Sequence, residues 1–93
     1  MIMSVVRIEL SEDVAFRDMS GQAVLLDLAS GIYFGLNEVG TRLWELLAQD
    51  SSLDSAADTL EREFEVSPEV LRADVNRLLE EMQTKGLLRI VRS

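Results

Sequence analysis

Residues 24–47, VLLDLASGIYFGLNEVGTRLWELL, decide the fold of this chain. The apolar start of this stretch predicts a strand, and Ser30 and Gly31 predict a tight turn into a second strand at residues 32–36. After Asn37, a residue type that suits a helix N-cap, apolar residues recur at helical spacing. No later strand follows to pair with residues 32–36. The pattern therefore predicts an open sheet edge that can accept an extended peptide.

The composition is that of one small globular domain, which we expect to cover residues 1–93. Hydrophobic residues make up 47% of the chain, and there is no cysteine or histidine. This excludes disulfides and thiolate nucleophiles, and it removes the commonest general base and nitrogen metal ligand. Asp27 and Asn37 lack a partner base or a companion ligand. We therefore expect no enzymatic activity, no metal and no cofactor.

The formal net charge is −8, and the nine basic residues are scattered singly along the chain. Because phosphate backbones repel such a surface, a nucleic-acid partner is not expected, and the acidity is explained most simply by solubility. Residues 1–7 are too short and too early interrupted by charge for a signal peptide. No apolar run approaches the roughly 20 residues of a membrane helix. We expect a cytoplasmic protein without a membrane partner.

The first part of the chain predicts short strands. A leading strand is expected at residues 5–9, followed by an antiparallel meander of residues 14–18, 23–28 and 32–36. Gly21 and Gly31 mark the two turns of the meander, where a positive φ is needed. In the third strand of the meander, alternation places one set of side chains on the core and the other set outside. The inner set is Ile32, Phe34 and Leu36, and the outer set is Tyr33 and Gly35.

Three amphipathic helices are predicted after the strands. The first begins after Asn37, and Gly40 in its first turn suggests a close backbone approach. Ser67 and Pro68 form a cap and first turn for the third helix, which ends at Gly86. Residues 87–91 fit either a short strand or a cover for the core. Strands followed by helices indicate an α+β fold. The predicted core positions of the three helices are Val39, Leu43, Trp44, Leu46 and Leu47; Leu53, Ala56, Ala57, Leu60 and Phe64; and Leu71, Val75, Leu78, Leu79 and Met82.

Two features suggest a peptide site. Tyr33 is a large outward aromatic between Gly31 and Gly35, and glycines without side chains leave room for a visiting backbone. On the third helix, one flank lies beside Leu71 and Leu78 and can supply selectivity pockets. That flank consists of Val70, Asp74, Arg77 and Glu81. The residues alone leave open whether Arg77 and Glu81 line a groove or form only a solvated pair.

The chain resembles the PqqD-like family over about residues 6–88. The resemblance is carried by a combination of short motifs, each of which is weak alone. They are Leu25-Leu26-Asp27, Gly31-Ile32-Tyr33-Phe34, Leu36-Asn37, Gly40, Trp44, Asp74-Val75, Leu78-Leu79 and Gly86-Leu87-Leu88.

The resemblance implies a small winged-helix-like domain with a three-stranded antiparallel sheet followed by three helices. It implies binding of the leader of a ribosomally made precursor peptide, a RiPP recognition element, which adds the leader as a strand and presents it to a modifying enzyme. The implied contact residues lie on the third strand and third helix. They are Ile32, Tyr33, Phe34, Gly35, Val70, Leu71, Asp74, Arg77, Leu78 and Glu81.

The pattern looks more like the free-standing proteins of lasso-peptide pathways than the pyrroloquinoline-quinone version. The expected partner is then a separate leader peptidase, whereas the quinone version serves a radical S-adenosylmethionine enzyme. Two other functions share the architecture: a winged-helix DNA-binding regulator, which the acidic third helix disfavours, and a domain that only docks proteins. The open edge can also pair with a second copy, which would give a homodimer.

Overall fold

The computed structural model describes residues 6–92. In chain order the elements are β1 (Val6–Leu10), β2 (Val14–Met19), β3 (Gln22–Asp27), β4 (Tyr33–Gly35), α1 (Glu38–Gln49), α2 (Leu53–Glu63), α3 (Pro68–Thr84) and β5 (Leu88–Arg92). The predicted α+β architecture is confirmed: an antiparallel sheet in the order β2-β3-β4 is followed by three helices. Residue 5, which belonged to the predicted leading strand, lies outside the described residues.

The turn between β2 and β3 is a two-residue hairpin. Ser20 has a φ of 61° and Gly21 a φ of 89°, and Met19 pairs with Gln22 on either side of them. Two consecutive positive φ angles match the right-handed twist of the strands, which favours this turn in hairpins. Asp18 accepts a hydrogen bond from the Gly21 N–H at 2.9 Å. A positive φ was predicted for Gly21, and Ser20 also adopts one.

The turn from β3 into β4 is fastened by Asp27. Its carboxylate accepts hydrogen bonds from the Ser30 hydroxyl at 2.9 Å and the Ala29 N–H at 3.0 Å. Its carbonyl accepts from Gly31, which has the predicted positive φ, 78°. The turn therefore sets where β4 begins, and it explains Asp27 without a catalytic role.

The predicted third strand is shorter than expected. Phe34 and Leu36 pack towards the core and Tyr33 and Gly35 lie outside, as predicted. The prediction for Ile32 was wrong, because this side chain is 50% exposed. Ile32 belongs to the end of the turn, and its N–H contacts the Ser30 hydroxyl. Its side chain is therefore not part of the core that Phe34 and Leu36 reach.

A second sheet joins the two ends of the described chain. β1 pairs antiparallel with β5, with Ile8 opposite Ile90. This decides the alternative left open for residues 87–91: Leu87 is buried, and the strand begins at Leu88. The sheet packs on α3 and covers one end of the core.

The first and third helices begin after their predicted caps, and the third ends before the predicted Gly86. The side chains of Asn37, Ser52 and Ser67 each accept a backbone N–H from the first turn of α1, α2 and α3. α3 ends in a Schellman motif, with Gly86 at a φ of 75° and the Leu87 N–H bound to the Met82 carbonyl at 2.9 Å. Within the described part of the chain, no helix combines the length and apolar character needed to cross a bilayer.

The core is formed by side chains of the three helices and of both sheets. It includes the predicted α3 stripe and Trp44, which is 6% exposed. The expected backbone approach at Gly40 was wrong. A Cβ there would meet the Leu36 side chain at 3.1 Å and the Asn37 side chain at 3.3 Å, so the close neighbours are side chains of the segment leading into the helix. The fully buried large side chains are Ile8, Leu25, Leu43, Leu60, Leu71, Met82 and Leu87.

Candidate functional site

The pairing of β3 with β4 determines which backbone groups are free. The Asp27 N–H donates to the Ile32 carbonyl at 2.9 Å, and the Leu36 N–H donates to the Ala23 carbonyl at 2.8 Å. Hydrogen-bonded pairs alternate with non-bonded pairs along an antiparallel ladder. Phe34, opposite Leu25, is therefore also bonded to β3.

The remaining residues of β4, Tyr33 and Gly35, consequently direct their N–H and C=O groups away from β3. β4 is the terminal strand of its sheet. Both residues are exposed, and Tyr33 is 69% accessible. The edge thus offers two donors and two acceptors at alternate residues, which is the pattern that an added antiparallel strand pairs with.

The outer edges of the second sheet, unlike that of β4, have backbone groups bonded to other parts of the chain. The Ile90 N–H of β5 donates to the side-chain oxygen of Gln83 on α3 at 2.8 Å. On the other side of that sheet, the Ile8 N–H of β1 donates to the Ser51 carbonyl at 2.8 Å. Side-chain and loop contacts of this kind block further strand pairing. The contrast identifies β4 as an edge available to a partner.

β2 forms the other edge of the three-stranded sheet. The bond from the Leu28 N–H to the Asp13 carbonyl, at 2.8 Å, fixes its alternation in the same way. By that alternation Val14, Phe16 and Asp18 direct their backbone groups outward. The strand carries Arg17 and Asp18, and charged side chains discourage edge pairing. β2 is thus a less suitable receptor than the uncharged β4.

The predicted flank of α3 is exposed. Val70 is 55% accessible, which is unusual for an apolar residue beside a buried stripe. Arg77 contacts Glu81 at 3.0 Å and Asp74 at 3.9 Å, and all three side chains are well solvated. In the unbound chain this is the geometry of a surface ion-pair cluster. Leu71 and Leu78, by contrast, lie in the core, at 1% and 6% exposure.

The predicted contact residues therefore divide by accessibility. The predicted residues that are exposed to solvent are Ile32, Tyr33, Gly35, Val70, Asp74, Arg77 and Glu81. Phe34 is half-buried, and Leu71 and Leu78 are buried. The assignment of all these residues to a peptide site stays a prediction.

Apart from Tyr33 and Gly35, no residue on the outer face of the three-stranded sheet was predicted to belong to the site. This face carries exposed apolar side chains, with Met19 at 65% and Leu28 at 62% accessibility. A concave surface of about 1030 Å³ runs over it and ends at Tyr33. A smaller hollow of about 520 Å³ lies beside Gly35. The alternation of β2 and β3 contained the signal, because Ala15, Val24 and Leu26 are apolar on the side away from the core.

The structure also shows what the site does not contain. Within residues 6–92 there is no group of three or more histidine, cysteine, aspartate or glutamate side chains placed to hold a metal ion.

Arg42 and Glu63 form a bidentate ion pair, with hydrogen bonds of 2.8 and 2.9 Å, that joins α1 to α2. Hydrogen bonding to this guanidinium lowers the pKa of Glu63, and hydrogen bonding to the carboxylate raises the pKa of Arg42. The pair lies on the helical surface and serves the fold.

Comparison with known proteins identifies the family. The model of a family described as coenzyme PQQ synthesis protein D (PqqD) matches residues 22–88. The chain belongs to the PqqD family. This confirms the resemblance seen in the sequence. The match spans β3, β4 and all three helices of this PqqD-family chain. No match was found among curated protein sequences.

Two solved structures are similar to this PqqD-family chain. The structure described as TbiB1 in complex with the TbiA(beta) leader peptide has a TM-score of 0.80 and 31% sequence identity, and the match covers 87% of this chain and 94% of that one. Lasso peptide synthetase B1 complexed with the leader peptide has a TM-score of 0.77 and 24% identity, with 89% and 98% covered. The second likeness shows the fold. Both relatives were solved with a leader peptide bound.

Proposed function

We propose that this chain is a non-catalytic recognition protein that captures the leader of a ribosomally synthesised precursor peptide. The leader adds as an antiparallel strand to β4, and the chain delivers it to a processing enzyme. In the lasso-peptide branch this enzyme is a separate leader peptidase. The observation that carries the proposal is the open edge of β4, where Tyr33 and Gly35 direct their backbone groups outward.

The first support is the geometry of this edge. Two residues with outward N–H and C=O groups can make four main-chain hydrogen bonds to a partner strand. Gly35 has nothing within 4 Å of the position that its Cβ would occupy, so the backbone can be approached closely. Main-chain bonds of this kind are nearly independent of the peptide's sequence. Selectivity must then come from side chains on either side of the edge.

The second support is the exposed flank of α3. Val70 offers an apolar contact, and Asp74, Arg77 and Glu81 offer charges of both signs. A leader that contacts this flank would meet an apolar end and a charged end of one helix face. We propose that these four residues contact the leader's side chains and so determine selectivity. The buried Leu71 and Leu78 would lie beneath this contact.

The third support is the similarity to TbiB1, at 31% identity over most of both chains. That protein was solved with a leader peptide bound. A leader-binding role is therefore the simplest inference for a relative with the same fold and an open β4 edge. The lasso branch is favoured over the quinone branch, with its radical S-adenosylmethionine enzyme, because one of the two similar structures is a lasso peptide synthetase B1 complexed with the leader peptide.

Delivery of the precursor to the processing enzyme follows from holding its leader on this chain. A leader held by this chain would place the rest of the precursor near any enzyme that also binds the chain, at an effective concentration of order millimolar. The enzyme then needs little affinity of its own for the substrate. We propose that this occurs in the cytoplasm, where precursor peptides are made, and that the chain itself cleaves nothing.

A DNA-binding role is disfavoured by the arginines of α3. Arg72 contacts Glu61 at 2.8 Å and Asp58 at 3.8 Å, and Arg77 is held between Asp74 and Glu81. These side chains would have to leave acidic partners before they could reach phosphates. Duplex binding with a steep salt dependence would nevertheless favour the regulator instead.

The test is a titration combined with amide hydrogen exchange. Synthetic leader peptides are taken from precursor genes that neighbour the gene for this chain, and each is titrated against the pure protein. Binding by strand addition should slow exchange at the Tyr33 and Gly35 amides, because these N–H groups become hydrogen-bonded. The outward amides of Val14, Phe16 and Asp18 on β2 are the internal control. Protection at β2 alone, or binding without protection at β4, would reject strand addition to β4.

A further inference from the structure

The outer face of the sheet has a gap at Gly35. Arg17, Val24 and Gly35 lie opposite one another across β2, β3 and β4 and form one cross-strand row of this face. Because Gly35 has no side chain, the row ends in a hollow instead of a third side chain. The hollow has a volume of about 520 Å³ and is lined by Met19, Gln22, Ala23, Val24, Gly35, Leu36 and Asn37.

The walls of this hollow are apolar near the glycine and polar at one rim. Val24 lies directly across the strand pair, and Met19, 65% exposed, lies further along the same face. Gln22 and Asn37 supply the polar rim. A methionine wall adapts its shape and makes favourable contacts with aromatic rings. The surface therefore suits a large apolar side chain that enters from beyond the β4 edge.

An added strand would supply such a side chain at one position. Residues that lie directly opposite each other in an antiparallel pair point to the same face of the sheet. The peptide residue opposite Gly35 thus points to the outer face, towards the hollow. An aromatic ring laid across a cross-strand glycine is a known way to cover the exposed backbone at a sheet edge.

We infer that the bound peptide carries a large apolar residue, aromatic or long aliphatic, opposite Gly35, and that its side chain crosses the glycine to pack on Val24 and Met19. This rests on the proposed strand addition and specifies one determinant of the peptide's sequence. The determinant lies on the outer face of the sheet. It is therefore separate from the contacts proposed on α3.

The edge position at Tyr33, unlike that at Gly35, has no hollow beside it. Tyr33 also directs its backbone outward, but its own ring occupies the outer face beside Leu26. A peptide residue opposite Tyr33 meets that ring and finds no hollow. The preference for a large side chain is thus confined to one of the two peptide residues that bond to β4, and these two residues are separated by one intervening residue.

The experiment uses a displayed library of random peptides of about 12 residues, roughly twice the length of a typical strand. The library is selected in parallel against the wild-type chain, Gly35→Val and Ala15→Val. Gly35→Val fills the gap with a strand-compatible side chain, and nothing lies within 4 Å of the new Cβ. Ala15→Val creates the same valine side chain on the same face but on β2, away from the hollow. Circular dichroism checks that each variant folds.

The wild type and Ala15→Val should enrich peptides with a large apolar residue at one shared position, and Gly35→Val should lose that preference. For the best wild-type peptide, replacing that residue by alanine should weaken binding to the wild type about tenfold or more. The same replacement should change binding to Gly35→Val by no more than about twofold.

Two other outcomes have different meanings. If peptides are enriched without a shared large residue, or if the alanine effect is equal in the wild type and Gly35→Val, the determinant at Gly35 is overturned while peptide binding stands. If the folded wild type enriches no peptide and binds none of the neighbouring-gene leaders, the proposed function itself is overturned and the determinant with it.

Discussion

The backbone N–H of Ala23 donates a hydrogen bond to the hydroxyl of Thr41 at 2.8 Å, and both residues are buried. Ala23 is the β3 residue whose carbonyl accepts the Leu36 N–H at the end of β4. Thr41 lies in α1, so one hydroxyl fastens the helix to the strand that carries the receptor edge. The position of β4 therefore depends on a contact between residues 18 apart in the sequence.

Thr41→Val should destabilise the fold. The substitution keeps the side-chain shape but leaves the buried Ala23 N–H without a partner, at a cost of about 1–3 kcal/mol in the free energy of unfolding. Urea denaturation measures this loss. Thr41→Ser keeps the hydroxyl and should lose less stability than Thr41→Val. Equal losses in the two variants would show that the hydrogen bond does not stabilise this junction.

Gly35→Pro should abolish peptide binding while leaving a folded chain. The ring removes the Gly35 N–H, which points away from β3, so the β3–β4 ladder loses no hydrogen bond. The comparison is Gly35→Ala, which keeps the N–H and whose Cβ meets no atom within 4 Å. Both variants are titrated with the best leader peptide and with a form in which the peptide residue opposite Gly35 is alanine. The comparison distinguishes the loss of the Gly35 N–H donor from the loss of space beside Gly35. A Gly35→Pro chain that binds as tightly as Gly35→Ala would contradict recognition through this N–H.

Val70→Asp should weaken leader binding by about 1–3 kcal/mol, because it replaces an apolar contact on the α3 flank by a charge. Folding should be little affected, since Val70 is largely exposed and an acidic residue suits the first turn of a helix. Asn76→Ala, on the opposite flank of α3, is the control. Gln83→Ala, also on that flank, is less suitable because Gln83 accepts the Ile90 N–H. If Asn76→Ala abolishes binding and Val70→Asp does not, the contact lies on the other side of the helix.

Acidification should loosen the turn that precedes β4. The pKa of Asp27 is lowered mainly by the hydrogen bond from the Ser30 hydroxyl and further by the Ala29 N–H. A carboxyl whose folded pKa lies below its unfolded value stabilises the fold above the unfolded pKa, and this contribution is lost as the pH falls through the folded pKa. Wild type should therefore be more stable than Asp27→Asn at neutral pH, and the difference in melting temperature should shrink on acidification. A difference that stays constant or grows down to about pH 3 would contradict this role of the carboxylate.

The turns, the helix caps and the buried stripes of the helices could be predicted from the amino-acid sequence. Gly31 and Gly86 adopt the positive φ angles that their turn positions required, and Asn37 and Ser67 cap the helices that follow them. The buried stripe of α3 follows from helical periodicity alone. These features depend on φ, ψ and side-chain spacing within a few residues, so they can be read without knowledge of distant parts of the chain. The motifs quoted from those elements were also enough to indicate the family.

The tertiary structure decided the features that depend on distant partners. The pairing of β1 with β5 and the cap that Gln83 places on β5 join segments whose contact no local pattern specifies. The register of β3 against β4 determines that Tyr33 and Gly35 face the open edge. A one-residue shift in register would reverse the direction of every backbone group on β4. The local turn at Asp27 fixes one end of the strand pair. The Thr41 contact, which only the packed fold supplies, fixes the other end.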